Sequence, residues 1–366
     1  MMGRVLLDTS LTRLKVDTFS FPLGAYPTEA MTPTPGYTVH FEPADGSEGA
    51  EASAGEADWE EWPDRYVFDI VVTHERLRPL VRAMLALLPG RVYPILDILG
   101  YDAYREVDPY VAYSLVGIER FLDGVRMFDP WLMEDGLVGF GAMSVDPFVY
   151  VFVDEHKIIT VRVQTDFKER VERLLAAFEL SPVEEVKGAD SVSHEHRSVI
   201  VAADDRPQFL NADEIFEHLL DSWVLQLNVD STSNVDADGK DLGMSAWQCV
   251  VRCSPPPSEE EAEPAETAYA EVLVTAENLQ TAEGLAAEAV GPRNAQDPAW
   301  EETDILRADR VSWEQMEEWL GAGRTPAREK PAVHDVRWLS GHPSLKKNGN
   351  DKGEGGAPPE RRASKE

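Results

Sequence analysis

Leu137-Val-Gly-Phe-Gly-Ala-Met143, Phe148-Val-Tyr-Val-Phe-Val153 and Lys157-Ile-Ile-Thr-Val-Arg-Val163 are three short runs rich in β-branched and aromatic residues, and Asp154-Glu-His156 separates the last two. Runs of this composition, bounded by turn residues, predict three strands with a compact hairpin at 154–156. Thr165 then caps a helix whose apolar positions, Phe167, Val171, Leu174, Leu175 and Phe178, fall on one face. Strands followed by a helix that can cover them describe a sheet with one helical face.

The pattern extends in both directions. Upstream, Tyr66 to Val72 reads as a buried strand, and Thr73 precedes a helix with its stripe at Leu77, Leu80, Val81, Met84, Leu85 and Leu88. Val92 to Leu99 follows as a strand. Asp108-Pro109 predicts a cap and a first-turn proline for a helix through Val111, Leu115, Ile118, Leu122 and Val125, and Asp129-Pro130 repeats the signal before Trp131. Downstream, Ser198 to Ala202 predicts a strand. Asn211 with Glu214 boxes the start of a helix carrying Ile215, Phe216, Leu219, Leu220 and Trp223. Strands at about 224–229, 245–253 and 268–276, a helix from Leu279 and a final helix boxed by Ser312 and Gln315 complete the series.

Each half thus reads strand, helix, three strands, helix. The expectation is an α+β protein of two lobes, each a mostly antiparallel sheet with helices packed on one face. Residues 1–62 form an N-terminal segment, 63–182 the first lobe, 183–325 the second, and 326–366 a mostly disordered tail. Glu42 to Glu61 holds eight acids and no Lys or Arg, and the 254–266 insert is Pro- and Glu-rich; both are expected to be flexible.

Sixty-seven acidic residues face 34 basic ones, a formal net charge of −33. A field of that sign repels phosphate backbones, which argues against nucleic-acid and anionic-membrane binding. The N-terminal apolar run is short and broken by Asp8 and Arg13, and no apolar stretch reaches membrane-spanning length, so a cytoplasmic location is expected. Cys249 and Cys253 lie on one face of a strand, about 13 Å apart along it, too far for a disulfide; reduced, buried thiols are expected.

Three groups of residues could carry chemistry. Asn234-Val-Asp236-Ala-Asp238-Gly239 matches the opening of a calcium loop, although Ser245 stands where the bidentate acid belongs and the flanks read as strands. His194-Glu-His196 has the alternate spacing by which a strand presents two imidazoles on one face, a start for zinc, with His218 or Asp204 as a further ligand. Between Asp129 and Glu155 the carboxylates Asp129, Glu134, Asp135, Asp146, Asp154 and Glu155 lie among aromatics. Asp146, Asp154 and Glu155 are the acids best placed for acid–base work. Each group also has a structural explanation: a turn, a polar loop leading into the strand at 198, and an acidic hairpin.

With no catalytic signature, no cofactor fingerprint and calcium or zinc as the only ions suggested, charge governs the functional expectation. The sequence points to a non-catalytic, regulatory binding module for a protein with a basic patch. The alternatives are a carboxylate- or metal-dependent hydrolase and a sensor that binds a small molecule between two lobes.

Overall fold

A computed structural model describes residues 5–44, 62–201, 208–256, 267–292 and 300–341. Most of the acidic stretch, most of the Pro- and Glu-rich insert, the tail beyond 341 and Asp204 lie outside them. The chain is α+β, with antiparallel sheets and seven α-helices among the described residues. It divides into two compact units, residues 5–99 with 108–228 and residues 100–107 with 229–341. The division falls later than the boundary at 182 expected from sequence. Helix Ala212–Trp223 is the reason, because Ile215, Leu219 and Trp223 are fully buried in the core of the first unit.

The first unit is built on one long sheet. Its strands run in the order Leu225–Leu227, Val107–Ala112, Arg91–Leu99, Val138–Ser144, Val149–Val153, Ile159–Gln164, Arg65–Val71 and Gly36–Glu42. From Arg91–Leu99 to Gly36–Glu42 every neighbouring pair is antiparallel. The period of two sends Phe140, Val151, Val161 and Phe68 to one side, where they are buried with Leu80 and Met84 of helix His74–Leu85 and Phe121 of helix Ile118–Met127. Helices Asp129–Glu134 and Lys168–Ala177 add Leu132 and Val171 to the same core. The opposite side of the sheet carries Tyr93, Met143, Tyr150 and Arg162, paired in a row across four strands.

One expected helix start is corrected. Asp108-Pro109 lies within strand Val107–Ala112, and the helix begins only at Ile118, after Gly117. Burial alternates along that strand, with Asp108, Tyr110 and Ala112 inside, so a two-residue period prevails over the local cap signal. Of the expected Ser198–Ala202 strand, Ala202 lies outside the described residues, and the described part shows a single bridge between Leu7 and Ile200. A short antiparallel pair instead joins Ala25–Pro27 to His194–His196. Both predicted capping boxes form, Asn211 with Glu214 and Ser312 with Gln315.

The second unit is a four-stranded antiparallel sheet in the order Glu302–Val311, Ser245–Ser254, Ala268–Ala276, Ala332–Ser340. Helix Leu279–Val290 buries Leu279, Ala282, Ala286 and Val290, and helix Trp313–Leu320 packs Met316 and Leu320 against Ala246, Leu273 and Val311. Strand Ala332–Ser340 occupies part of the chain that composition assigned to the tail. Cys249 and Cys253 are both free and buried. Arg310 is buried against Asp102, at 2.9 Å, and also donates to the Asn234 side chain and the Val235 carbonyl.

Candidate metal centre

His194 and His196 share a strand face, and the structure brings His156 to them. Tyr26 pairs with Glu195 and Ala25 with His196, so the 194–196 segment is held extended and both imidazoles project to the same side. The hairpin turn after Val149–Val153 supplies the third ring. Asp154 caps that turn by accepting the Ile158 N–H at 2.7 Å, and Lys157 takes the left-handed conformation, φ 68°. The Lys157 side chain is buried and donates to the Val138 carbonyl at 2.6 Å, fixing the turn against the neighbouring strand.

The three rings form a pinwheel. Ring centroids lie 4.7, 4.8 and 4.8 Å apart, with interplanar angles of 65–76°. Their Nε2 atoms converge: His156 to His194 is 2.9 Å and His194 to His196 is 3.1 Å. The Nδ1 atoms point outward to acceptors. His194 Nδ1 lies 2.7 Å from the Val192 carbonyl, and His196 Nδ1 lies 2.7 Å from the Gly136 carbonyl. His156 Nδ1 faces the carboxylates of Glu155 at 3.3 Å and Asp154 at 3.6 Å.

This pattern fixes the protons. A carbonyl oxygen only accepts, so His194 and His196 carry their protons on Nδ1, and in the neutral rings both Nε2 atoms are lone pairs. Two lone pairs 3.1 Å apart repel. A proton on His156 Nε2 could satisfy its contact with His194, but it would leave the contact between His194 and His196 unmet. One cation at the centre satisfies all three. Tetrahedral zinc with Zn–N distances of about 2.0–2.1 Å holds its nitrogens about 3.3 Å apart, within a few tenths of an ångström of the spacing found. Outer acceptors on each Nδ1 are the usual support of metal-bound histidine, because they fix the tautomer and aim the ring.

The surrounding field is acidic. Burial works against a charge on His156, but Asp154, followed by Glu155 and Asp190, outweighs burial and raises its pKa. Burial lowers His196, and the two neighbouring rings add to that against the bond to Gly136. Asp97, on strand Arg91–Leu99, is raised to about 7 by burial and then by the charge of Glu155. The three rings are partly buried, with 14% of the His156 side chain exposed.

A stitched set of loops holds the platform behind His196. Gly24 N–H donates to the Glu134 carbonyl, Gly136 N–H to Arg197, and Arg197 N–H to Gly24. Gly24 and Gly136 meet so closely that a Cβ on Gly136 would sit 2.0 Å from the Gly24 carbonyl oxygen. The buried Asp135 carboxylate accepts from the N–H groups of Leu137 and Val199, tying both sides of the site together.

The other sequence-predicted residues are placed as follows. Asp154 and Glu155 flank His156 on its Nδ1 side, whereas Asp146 is exposed in the turn before Phe148. Asp129 pairs with Arg78 and Arg82, and Glu134 with Arg13 and His74. Asn234 donates to the Gly243 carbonyl and the Ser245 hydroxyl, and Asp236 accepts from the Asp238 and Lys240 N–H groups. Those bonds close the 234–245 loop on itself and account for its Asp and Asn spacing as turn chemistry. His218 packs edge-on against Phe128 and takes no part in the cluster. His156, 38 residues from His194 in sequence, is the third imidazole that spacing alone could not supply. Set against known proteins, the chain matches no family model, no curated sequence and no solved structure.

Proposed function

We propose that the chain binds zinc through His156, His194 and His196 and uses it for hydrolysis. The observation that carries this reading is the convergence of three Nε2 atoms whose Nδ1 partners all point away. Three imidazoles are the donor set of catalytic zinc, since they leave one tetrahedral corner to water or substrate, whereas structural sites use four protein ligands. When bound, zinc on such a set lowers the pKa of a coordinated water to about 7 and polarises a carbonyl. The protein contributes ring orientation through Val192, Gly136 and the 154–155 carboxylates.

A non-catalytic module for a basic partner is the reading that net charge supports. Charge is shared by the whole surface, whereas the three-histidine geometry is specific to one place, so the metal reading takes precedence.

The test is metal content after zinc loading and desalting, with cobalt as a spectroscopic substitute. Wild-type protein should retain about one metal per chain and show the visible bands of tetrahedral cobalt. His194→Ala and His196→Ala should lose both while keeping their far-UV circular dichroism. Zinc-loaded protein should cleave 4-nitrophenyl acetate faster than chelator-treated protein. Wild-type protein that retains no metal and gives no cobalt bands overturns the site; retention without hydrolysis overturns the enzymatic part alone.

A further inference from the structure

The far side of the long sheet carries a second site of different chemistry. Tyr93, Met143, Tyr150 and Arg162 stand in register across four adjacent strands, and a cavity of about 590 Å³ opens over them. Trp62 and Phe148 form one wall, with ring centroids 5.1 Å apart in an edge-on pair. A volume in this range suits a small-molecule ligand.

Its lining departs from the rest of the protein. Among the described lining residues there is no acid, while Arg65 and Arg162 both face the cavity. The two arginines differ in role. Arg65 donates from Nε to Glu42 at 2.7 Å, so its charge is answered within the protein. Arg162 is exposed, sits 5.4 Å over the Tyr150 ring, and makes no ion pair among the described residues. A guanidinium stacked on a tyrosine keeps its in-plane N–H donors turned outward from the ring, available to a carboxylate, sulfonate or phosphate. Glu42, paired to Arg65, feels the Arg162 charge without forming an ion pair with it, so aromatic faces around this cation complement a flat ligand that carries a single anionic group.

We propose that this cavity binds a small aromatic anion, with Arg162 holding the anionic group and Tyr93, Tyr150 and Trp62 contacting the ring system. Arg162 provides the selectivity: a net charge of −33 repels such a ligand over the surface at large, and this guanidinium offers it a charge-assisted contact.

The experiment uses the full chain and two dyes of nearly equal size, 8-anilinonaphthalene-1-sulfonate and the uncharged N-phenyl-1-naphthylamine. Fluorescence titration should give one saturable sulfonate site per chain, with the uncharged dye at least about tenfold weaker, as expected for one charge-assisted contact. Arg162→Glu should weaken the sulfonate by about tenfold or more and leave the uncharged dye unaffected, and Tyr93→Ala should weaken both. Equal affinity for the two dyes, unsaturable binding, or an unchanged Arg162→Glu titration would overturn the proposal. If Arg162→Glu fails to fold, the wild-type comparison of the two dyes decides the question.

Discussion

Glu134 shows how far a single buried carboxylate can be committed to the fold. Its side chain is 6% exposed and lies 2.7 Å from Arg13, 2.9 Å from His74 and 3.1 Å from the Leu23 N–H. Burial alone would raise its pKa, but these partners prevail and hold it at about 2 instead of 4.5. A carboxylate depressed in the folded state stabilises above its unfolded pKa, and that contribution is lost as pH falls from about 4.5 toward 2. The shift corresponds to an order of magnitude of about 3 kcal/mol. Urea unfolding between pH 7 and 3 should therefore show wild-type stability falling steeply at the acid end. Glu134→Gln should begin less stable at pH 7 and converge on wild type in acid. Parallel pH profiles for the two proteins would refute the assignment. The Glu134 backbone carbonyl also accepts from Gly24, on the loop platform behind His196, so residue 134 connects the N-terminal segment to the three-histidine cluster.

At the scale of elements, signals that repeat within a few residues could be read from the chain. Helix Ala212–Trp223 starts where Asn211 and Glu214 said it would, with both reciprocal bonds at 2.8 Å. Asn211→Ala should cost about 1 kcal/mol, lowering the urea midpoint without changing the slope; no change in midpoint would show the cap to be redundant with tertiary packing. The hairpin at 154–156 was equally legible, because its flanking strands are rich in β-branched and aromatic residues and its turn is polar. Asp108-Pro109 misled, since Tyr110 and Ala112 reach the core only if the segment is extended, and burial outweighs a cap. The three-histidine cluster was legible only in part. His194 and His196 announce one shared face by their spacing, yet their partner strand, Ala25–Pro27, lies far away in sequence and has no pattern of its own. His156 sits in a turn that reads as acidic and ordinary. The convergence of the three rings depends on that remote pairing and on Gly136, where the short-range pattern carries no information. Strand Ala332–Ser340 was missed for a related reason: its burial is mostly partial, so no clean alternation marks it.

For the molecule as a whole, the net charge sets an energetic background that no single contact removes. A charge of −33 on one chain opposes compaction at every distance within the screening length. Ion pairs oppose this unevenly. Pairs such as Arg328 with Glu317, about half exposed on both sides, contribute little and lose little when screened. Arg310 with Asp102 is buried and scarcely sensed by salt. Raising NaCl from about 0.05 M to about 1 M shortens the Debye length from roughly 14 Å to 3 Å, which removes the diffuse repulsion while sparing the buried pair. The melting temperature should therefore rise monotonically with NaCl, most steeply below about 0.3 M, where the screening length still spans neighbouring surface acids. Chelator-treated protein is the right sample, because zinc at the histidines would raise the melting temperature by mass action and mask the trend. A melting temperature that falls with salt would mean that exposed ion pairs, taken together, outweigh the excess of acid, and the surface would then have to be described as a network of pairs instead of a field of like charge.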